Sequence, residues 1–213
     1  RAVTPVLLVV IPNGGVGARI EIARNTRQRA AAGRDRLALL SLPLLTSVAS
    51  GENVVSLIEY REVEGPFDRE LLLALGSLER ELVGSADTAE FSIESCANQI
   101  QLAVNSHRWI HLALATMRGE IVGYKLGRSN DPRTFESWGG GVRRDARRQG
   151  IASALARLQE LWCRAQSFQF IQTETAHDNL AMLAVNLKQG FFVAGTYLDR
   201  GAHLKVILQK PLN

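Results

Sequence analysis

The chain has 213 residues, 46% hydrophobic and 22% charged, which places it among soluble globular proteins with enough length for a core that needs neither disulfides nor metals. Its two cysteines, Cys96 and Cys163, make no CxxC and no disulfide framework, as suits a reducing cytoplasm. The formal charge of +4 is uneven: residues 1–50 hold seven Arg, no Lys, one Asp and one Glu, a local +5, so the rest balances to −1 and overall basicity gives no argument for a nucleic-acid-binding main domain.

In chain order, PVLLVVI (5–11) reads as a short buried strand and NGGVGARI (Asn13–Ile20) as a turn. The latter contains G-x-G but lacks the third glycine of a dinucleotide fingerprint and the GK[ST] of a P-loop. An arginine-rich run over 24–36 precedes the apolar run LALLSLPLLTSV (37–48). The pair is like the first two regions of a secretory signal, with Ala49-Ser50-Gly51 as a poor cleavage site, but the apolar run is far short of the ~20 residues that span a bilayer. A packed helix or poorly specified upstream sequence is the preferred reading. Residue 1 is Arg and the first methionine is Met117, as in a fragment, a processed product or a translation with an uncertain start. "ASGEN" marks a boundary near residue 51, dividing an N-terminal extension (1–50) from a main domain (51–213).

From there the pattern is regular. VVSLIEYREV (54–63) is a strand. Pro66 and Phe67 open a helix whose Leu71, Leu72, Leu75, Leu78 and Leu82 recur at helical spacing. A polar break leads to a second amphipathic stretch near 91–104. Strands over 109–117 and 120–126 flank a tight turn at Arg118-Gly119, and 134–142 is another strand. Ile151–Ala165 is a helix, 170–175 a strand, 180–189 a helix stopped by Gly190, and 193–198 and 204–208 are closing strands. The order β-α-α-β-β-β-α-β-α-β-β is that of a mixed α/β domain.

One stretch carries chemistry. In VRRDARRQGIASAL (142–155) four arginines stand within six residues just before a helix. A helix start leaves backbone N–H groups without partners and carries about half a positive charge, so it is a ready phosphate site. Gly150 admits a bulky anion, Ala152 keeps the next turn small, Ser153 adds a hydroxyl, and Arg147 and Arg148 bring fork-shaped donors. A solvated charged loop is the plain alternative.

The residues Val142, Arg147, Gly150 and Ala152 match V-x-x-x-x-[RQ]-x-x-G-x-[GA], and the stretch resembles the acetyl-coenzyme A signature of the GCN5-related N-acetyltransferase (GNAT) family. The family's usual proline is replaced by Arg144. NLAMLAVNLKQGF (179–191) resembles a later family motif, N-x-x-A-x-x-L-Y-x-x-x-G-F: Asn179, Gly190 and Phe191 agree, Met182 and Val185 are apolar substitutes, and Asn186 stands where many members carry tyrosine. The resemblance covers about Val54 to Leu212. It implies a mostly antiparallel central sheet with helices on both faces and a splayed strand pair.

The resemblance also implies the site. The strand ending at Val142 should diverge from the strand 170–175, with Gly139-Gly140-Gly141 admitting pantetheine and tolerating a bulge. Backbone groups of Val142 and Arg144 would face pantetheine. Those of Arg148, Gln149, Gly150, Ile151, Ala152 and Ser153 would face the pyrophosphate. Asn179 would hold the pantetheine arm, though capping of the following helix explains an Asn there equally well. The implied reaction is acyl transfer from acetyl-CoA to a small-molecule or peptide amine by direct attack. An alkylamine of pKa about 10.4 loses its proton at pH 7 at a cost of roughly 4–5 kcal/mol, so a base is useful. Glu136, six residues before Val142, shares its side of an ideal strand and resembles the family's glutamate base; a solvated strand carboxylate is the alternative. Asn186 is no acid, but its amide can hydrogen-bond the sulfur; Tyr197, Tyr124 or His177 could substitute in space for the missing tyrosine, but a structural role is the preferred reading of each, since tyrosines on strands usually pack. His107, His111 and His203 show no ligand spacing, so no metal is expected. Asn186 also motivates a second reading, a non-catalytic acyl-CoA-binding module. Neither nucleic-acid nor membrane partners are expected, and oligomeric state is left open, a homodimer included.

Overall fold

The computed structural model describes residues 5–11, 19–24, 58–63, 65–83 and 92–212. Most of the turn expected at Asn13–Ile20, nearly all of the arginine-rich run, the apolar run 37–48 and the boundary near residue 51 lie outside the described residues. The elements are β1 (Pro5–Ile11), β2 (Arg19–Arg24), β3 (Ile58–Val63), α1 (Arg69–Val83), α2 (Ile93–Ser106), β4 (Trp109–Met117), β5 (Glu120–Ser129), β6 (Thr134–Val142), α3 (Ile151–Ala165), β7 (Phe170–Ala176), α4 (Leu180–Lys188), β8 (Phe192–Leu198) and β9 (Leu204–Pro211).

The nine strands among the described residues join one sheet in the order β2-β1-β3-β4-β5-β6-β7-β9-β8. Every neighbouring pair is antiparallel except β6 with β7. From β3 onward the element order is the one read from the sequence, and the mostly antiparallel sheet with helices on both faces is borne out. Ahead of it, β1 and β2 pair with each other, and β1 continues onto the outer edge of β3 through Pro5↔Arg61 and Val6↔Tyr60.

Local chemistry sets the helix boundaries. The Asp68 carboxylate accepts the Leu71 N–H at 2.8 Å and the Ser92 hydroxyl accepts the Ser95 N–H at 3.1 Å, so α1 and α2 are both capped by side chains. In α1, Leu72, Leu75 and Leu78 are buried at helical spacing against Leu112, Leu114 and Leu126 of the sheet. On the opposite face, Ile151, Ala154, Leu155 and Leu158 of α3 pack on Tyr60, Ala113, Ala115 and Val122. The middle of β4 is thus buried on both faces. β5 runs to Ser129 rather than stopping at Leu126, because its ladder with β4 continues to Trp109↔Ser129. No helix among the described residues is long and apolar enough to cross a membrane.

A third cluster matters for the site. Phe135, Phe168, Ile171 and Cys163 are buried together, with Trp109 and Trp162 packed against them. The Phe135 ring lies 5.1 Å from Trp162 and 5.2 Å from Phe168, centroid to centroid. Aromatic contacts of this kind add about 0.5–1.5 kcal/mol each beyond burial. They clamp the beginnings of β6 and β7 together.

Candidate active site

The two parallel strands form a fork. β6 and β7 pair only at Thr134↔Phe170, Phe135↔Ile171 and Glu136↔Gln172, in front of the aromatic cluster. Beyond that the ladder ends. The last link is a side chain: the Thr173 hydroxyl donates to the Ser137 carbonyl at 3.1 Å. From Trp138 to Val142 the β7-facing edge of β6 has no strand against it among the described residues.

The open edge leads to the mouth of α3. A 3-10 turn over Arg144–Ala146 ends β6, and Arg148 and Gly150 both take left-handed backbone, φ 63° and 78°. A non-glycine residue held there carries strain of about 1–2 kcal/mol, a feature that concentrates at functional sites. No side chain caps α3, and no acidic residue stands in its first turn. The first amide with a helical partner is Ala154, bonded to the Gly150 carbonyl at 3.0 Å, so the amides of Ile151, Ala152 and Ser153 are the open ones. A Cβ on Gly150 would meet nothing within 4 Å. A cavity of about 300 Å³ lies over this mouth, lined by Val142, Ala146, Arg147, Arg148, Gly150 and the first turn of α3. These residues fit a diphosphate: open amides, a positive helix end and no competing carboxylate.

The four arginines divide their work. Arg143 is spent on the protein, in a two-point pair with Asp145 (2.8 and 3.0 Å) and a bond to Glu120 at 3.0 Å. These partners push the Arg143 guanidinium further up and hold the Asp145 carboxyl down. The Arg143 N–H bonds back to Val122 at 2.8 Å, so the Val142 carbonyl, on the other side of that trans peptide, faces the gap. There Arg147 Nε donates to it at 3.0 Å. Arg147 thus covers part of the edge expected to be read by pantetheine. Arg144 and Arg148 are exposed at the rim, as is Gln149.

Glu136 does not share a side with Val142. Between Leu126↔Gly139 and Arg128↔Glu136 the register slips: β6 advances one residue more than β5. This bulge, at Ser137–Trp138, precedes the three glycines rather than falling on them, and it breaks the alternation assumed for an ideal strand. Val142 packs into the α3-side core, whereas Glu136 stands on the α1/α2 side, where Arg128 Nε donates to its Oε2 at 2.9 Å. The Arg128 guanidinium also lies 4.4 Å from the centroid of the Trp138 ring. On the same face a cavity of about 250 Å³ is lined by Glu79, Cys96, Gln99, Tyr124, Trp138 and Gly139 among others.

The two tyrosines weighed as substitutes are engaged with carboxylates, in keeping with the structural role preferred for them. Tyr124 donates to Glu79, and burial together with that carboxylate raises its pKa far above the ordinary phenol value. Tyr197 donates to Glu174 at 2.6 Å, and that hydrogen bond pushes it up to about 12. His177 is exposed. Asn179 caps α4, its side-chain oxygen accepting the Met182 N–H at 3.2 Å.

Asn186 is buried and lines a small cavity of about 60 Å³ at the crotch of the fork, with Ser137, Thr173, Gln159 and Lys125. Lys125 and Gln159 escaped the sequence reading. The signal for Lys125 was present: in GYKLG (123–127), a charged side chain shares its face with two glycines in a strand buried on both faces. Glu79 and Trp138, which line the cavity on the α1/α2 face, were also missed, because only folding brings α1, α2 and β6 together. Among the described residues no group of His, Cys, Asp or Glu is arranged to hold a metal ion.

A family model described as the acetyltransferase (GNAT) family matches residues 74–191. Solved structures share the fold at low identity. An acetyltransferase of the GNAT family from Desulfovibrio desulfuricans aligns with TM-score 0.62 at 13% identity, over 73% of this chain and 99% of its own. The ribosomal-protein-S18-alanine N-acetyltransferase from Escherichia coli aligns with TM-score 0.54 at 16% identity, over 71% and 94%. A GNAT family acetyltransferase from Elizabethkingia anophelis, solved with acetyl-CoA bound, aligns with TM-score 0.50 at 19% identity, over 73% and 98%. No curated protein sequence matches the chain.

Proposed function

The chain belongs to the GNAT acetyltransferase family, and from that premise we propose that it is an acetyl-CoA-dependent N-acetyltransferase acting on a primary amine of a small molecule or peptide. The observation that carries this reading is the continuity of the uncapped mouth of α3 with the unpaired edge of β6, which ends at the fork. The amides of Ile151, Ala152 and Ser153 would hold the diphosphate, helped by Arg148 at the rim. Arg147 would release the Val142 carbonyl to an incoming pantetheine amide and turn to phosphate. When bound, acetyl-CoA supplies an acyl group already activated as a thioester.

The protein's own part is to bring an amine to the fork and remove its proton. The 250 Å³ cavity on the α1/α2 face suits the acceptor: the Glu79 carboxylate attracts an ammonium and Trp138 offers an aromatic wall. Glu136, held by Arg128 beside Trp138, is the proposed proton acceptor, directly or through a water. The test is thiol release over a panel of alkylamines, aminoglycosides and peptides, run beside calorimetric titration with acetyl-CoA. Binding with turnover on an amine supports the proposal. Binding without turnover on any amine favours the second reading, an acyl-CoA-binding module, to which Asn186 in place of the family tyrosine lends weight. Absence of binding overturns both.

A further inference from the structure

The small cavity at the crotch of the fork is lined by polar side chains, among them Lys125, Gln159, Thr173 and Asn186. Gln159 is 2% exposed and its Nε2 has no partner. The Lys125 side chain lines the same cavity, and among the described residues it has no ion-pair or hydrogen-bond partner. Its stem runs over Gly140, where any Cβ would come within 2.9 Å of Lys125 Cδ, so the bare backbone of β6 makes room for it. Unpaired buried donors cost about 1–3 kcal/mol each in a finished interior. Gln159 Nε2 is such a donor, and with the half-buried Lys125 ammonium on the same cavity wall it calls for an electron-rich occupant. Asn186, at the position of the missing family tyrosine, forms another wall.

We propose that Lys125 is the proton donor to the departing thiolate, taking over the task that Asn186 cannot perform. The inference rests on the acyltransferase reading above. As the acyl carbon–sulfur bond breaks, its electron pair passes to sulfur. Lys125 gives sulfur one ammonium proton: an N–H bond breaks, an S–H bond forms, and the neutral amine recovers a proton from solvent. Gln159 Nε2 and the Asn186 amide add hydrogen bonds to the same sulfur. Burial pushes the Lys125 ammonium down to about 8, close to an ordinary thiol, which is the matching that efficient proton transfer requires. The other charged groups on the cavity wall are Glu160 of α3 and Lys210 of β9, and they are paired with each other at 2.6 Å. No titratable side chain reaches the wall from β6, β7 or α4.

The test compares wild type with K125M and K125R. Circular dichroism and calorimetric affinity for coenzyme A first establish that each variant folds and binds. K125M is expected to lose about 10²-fold in turnover, and the fall in wild-type turnover above pH 8 should vanish with it. K125R, which keeps a charge that does not titrate in this range, should stay as slow as K125M. A second readout needs no turnover. The ultraviolet absorbance of bound coenzyme A thiolate should appear at lower pH in wild type and K125R than in K125M. Full activity in K125M with an unchanged pH profile, or a bound thiol whose titration ignores residue 125, overturns the assignment. So does acetylation of Lys125 itself, seen in the intact-protein mass after incubation with acetyl-CoA alone. If wild type binds no coenzyme A, the acyltransferase reading fails, and the inference falls with it.

Discussion

Thr173 and Ser137 are joined across the fork: the Thr173 hydroxyl donates to the Ser137 carbonyl at 3.1 Å where the backbone ladder has already ended. Ser137 is 5% exposed, so its carbonyl has little access to water. Thr173→Val keeps the shape and removes the donor. An acceptor left unpaired costs about 1–3 kcal/mol, so the urea midpoint should fall by that equivalent with an unchanged slope. An unchanged midpoint would mean that solvent replaces the hydroxyl.

Gly150→Glu should abolish coenzyme A binding while the domain remains folded. The substitution puts a carboxylate among the open amides of α3 and a side chain on left-handed backbone, which costs about 1–2 kcal/mol in stability. Isothermal calorimetry measures the first effect and thermal melting the second. Wild-type affinity in the variant would remove the diphosphate from this helix mouth.

Glu136→Gln tests the proton acceptor. The amide keeps the size and loses the base, so turnover should fall about 10²-fold, most clearly below the pKa of the acceptor amine. Affinity for acetyl-CoA should hardly move, because Glu136 stands on the α1/α2 side of the sheet, away from the α3 mouth. Rates measured from pH 6 to 9 with one amine decide it; equal turnover throughout excludes Glu136 from the reaction.

Glu160 offers a pH-dependent stability. Burial works to raise its pKa, but hydrogen bonds from Lys210 and Arg164 outweigh that and leave it below the ordinary carboxylate value. A group lowered in the folded state stabilises fully above its unfolded pKa, and that contribution drains away as pH falls through the folded value. Wild type should therefore exceed Glu160→Gln in stability at neutral pH, and the gap should close on acidification below about pH 4. Urea midpoints across a pH series give the gap; a constant difference would mean that the charge contributes nothing.

The helix mouth was legible in the sequence because everything it needs is local: arginines, a glycine and an apolar helix follow one another within about a dozen residues. The alternation of strands and helices was legible for the same reason. The side on which Glu136 falls was not, because the bulge at Ser137–Trp138 exists only relative to β5. Asn179 was open to two readings, and the structure shows it capping α4. The cavity on the α1/α2 face draws Glu79, Cys96 and Trp138 from three elements far apart in the chain, and no spacing rule anticipates such a meeting.

Of the chain's three tryptophans, Trp109 and Trp162 sit against the aromatic cluster behind the fork, and Trp138 alone lines the cavity proposed for the acceptor, with a guanidinium over its ring. The molecule therefore carries its own optical reporter. An amine entering that cavity changes the polarity around one indole and leaves the other two in their surroundings, so acceptors can be ranked by intrinsic emission before any product is sought.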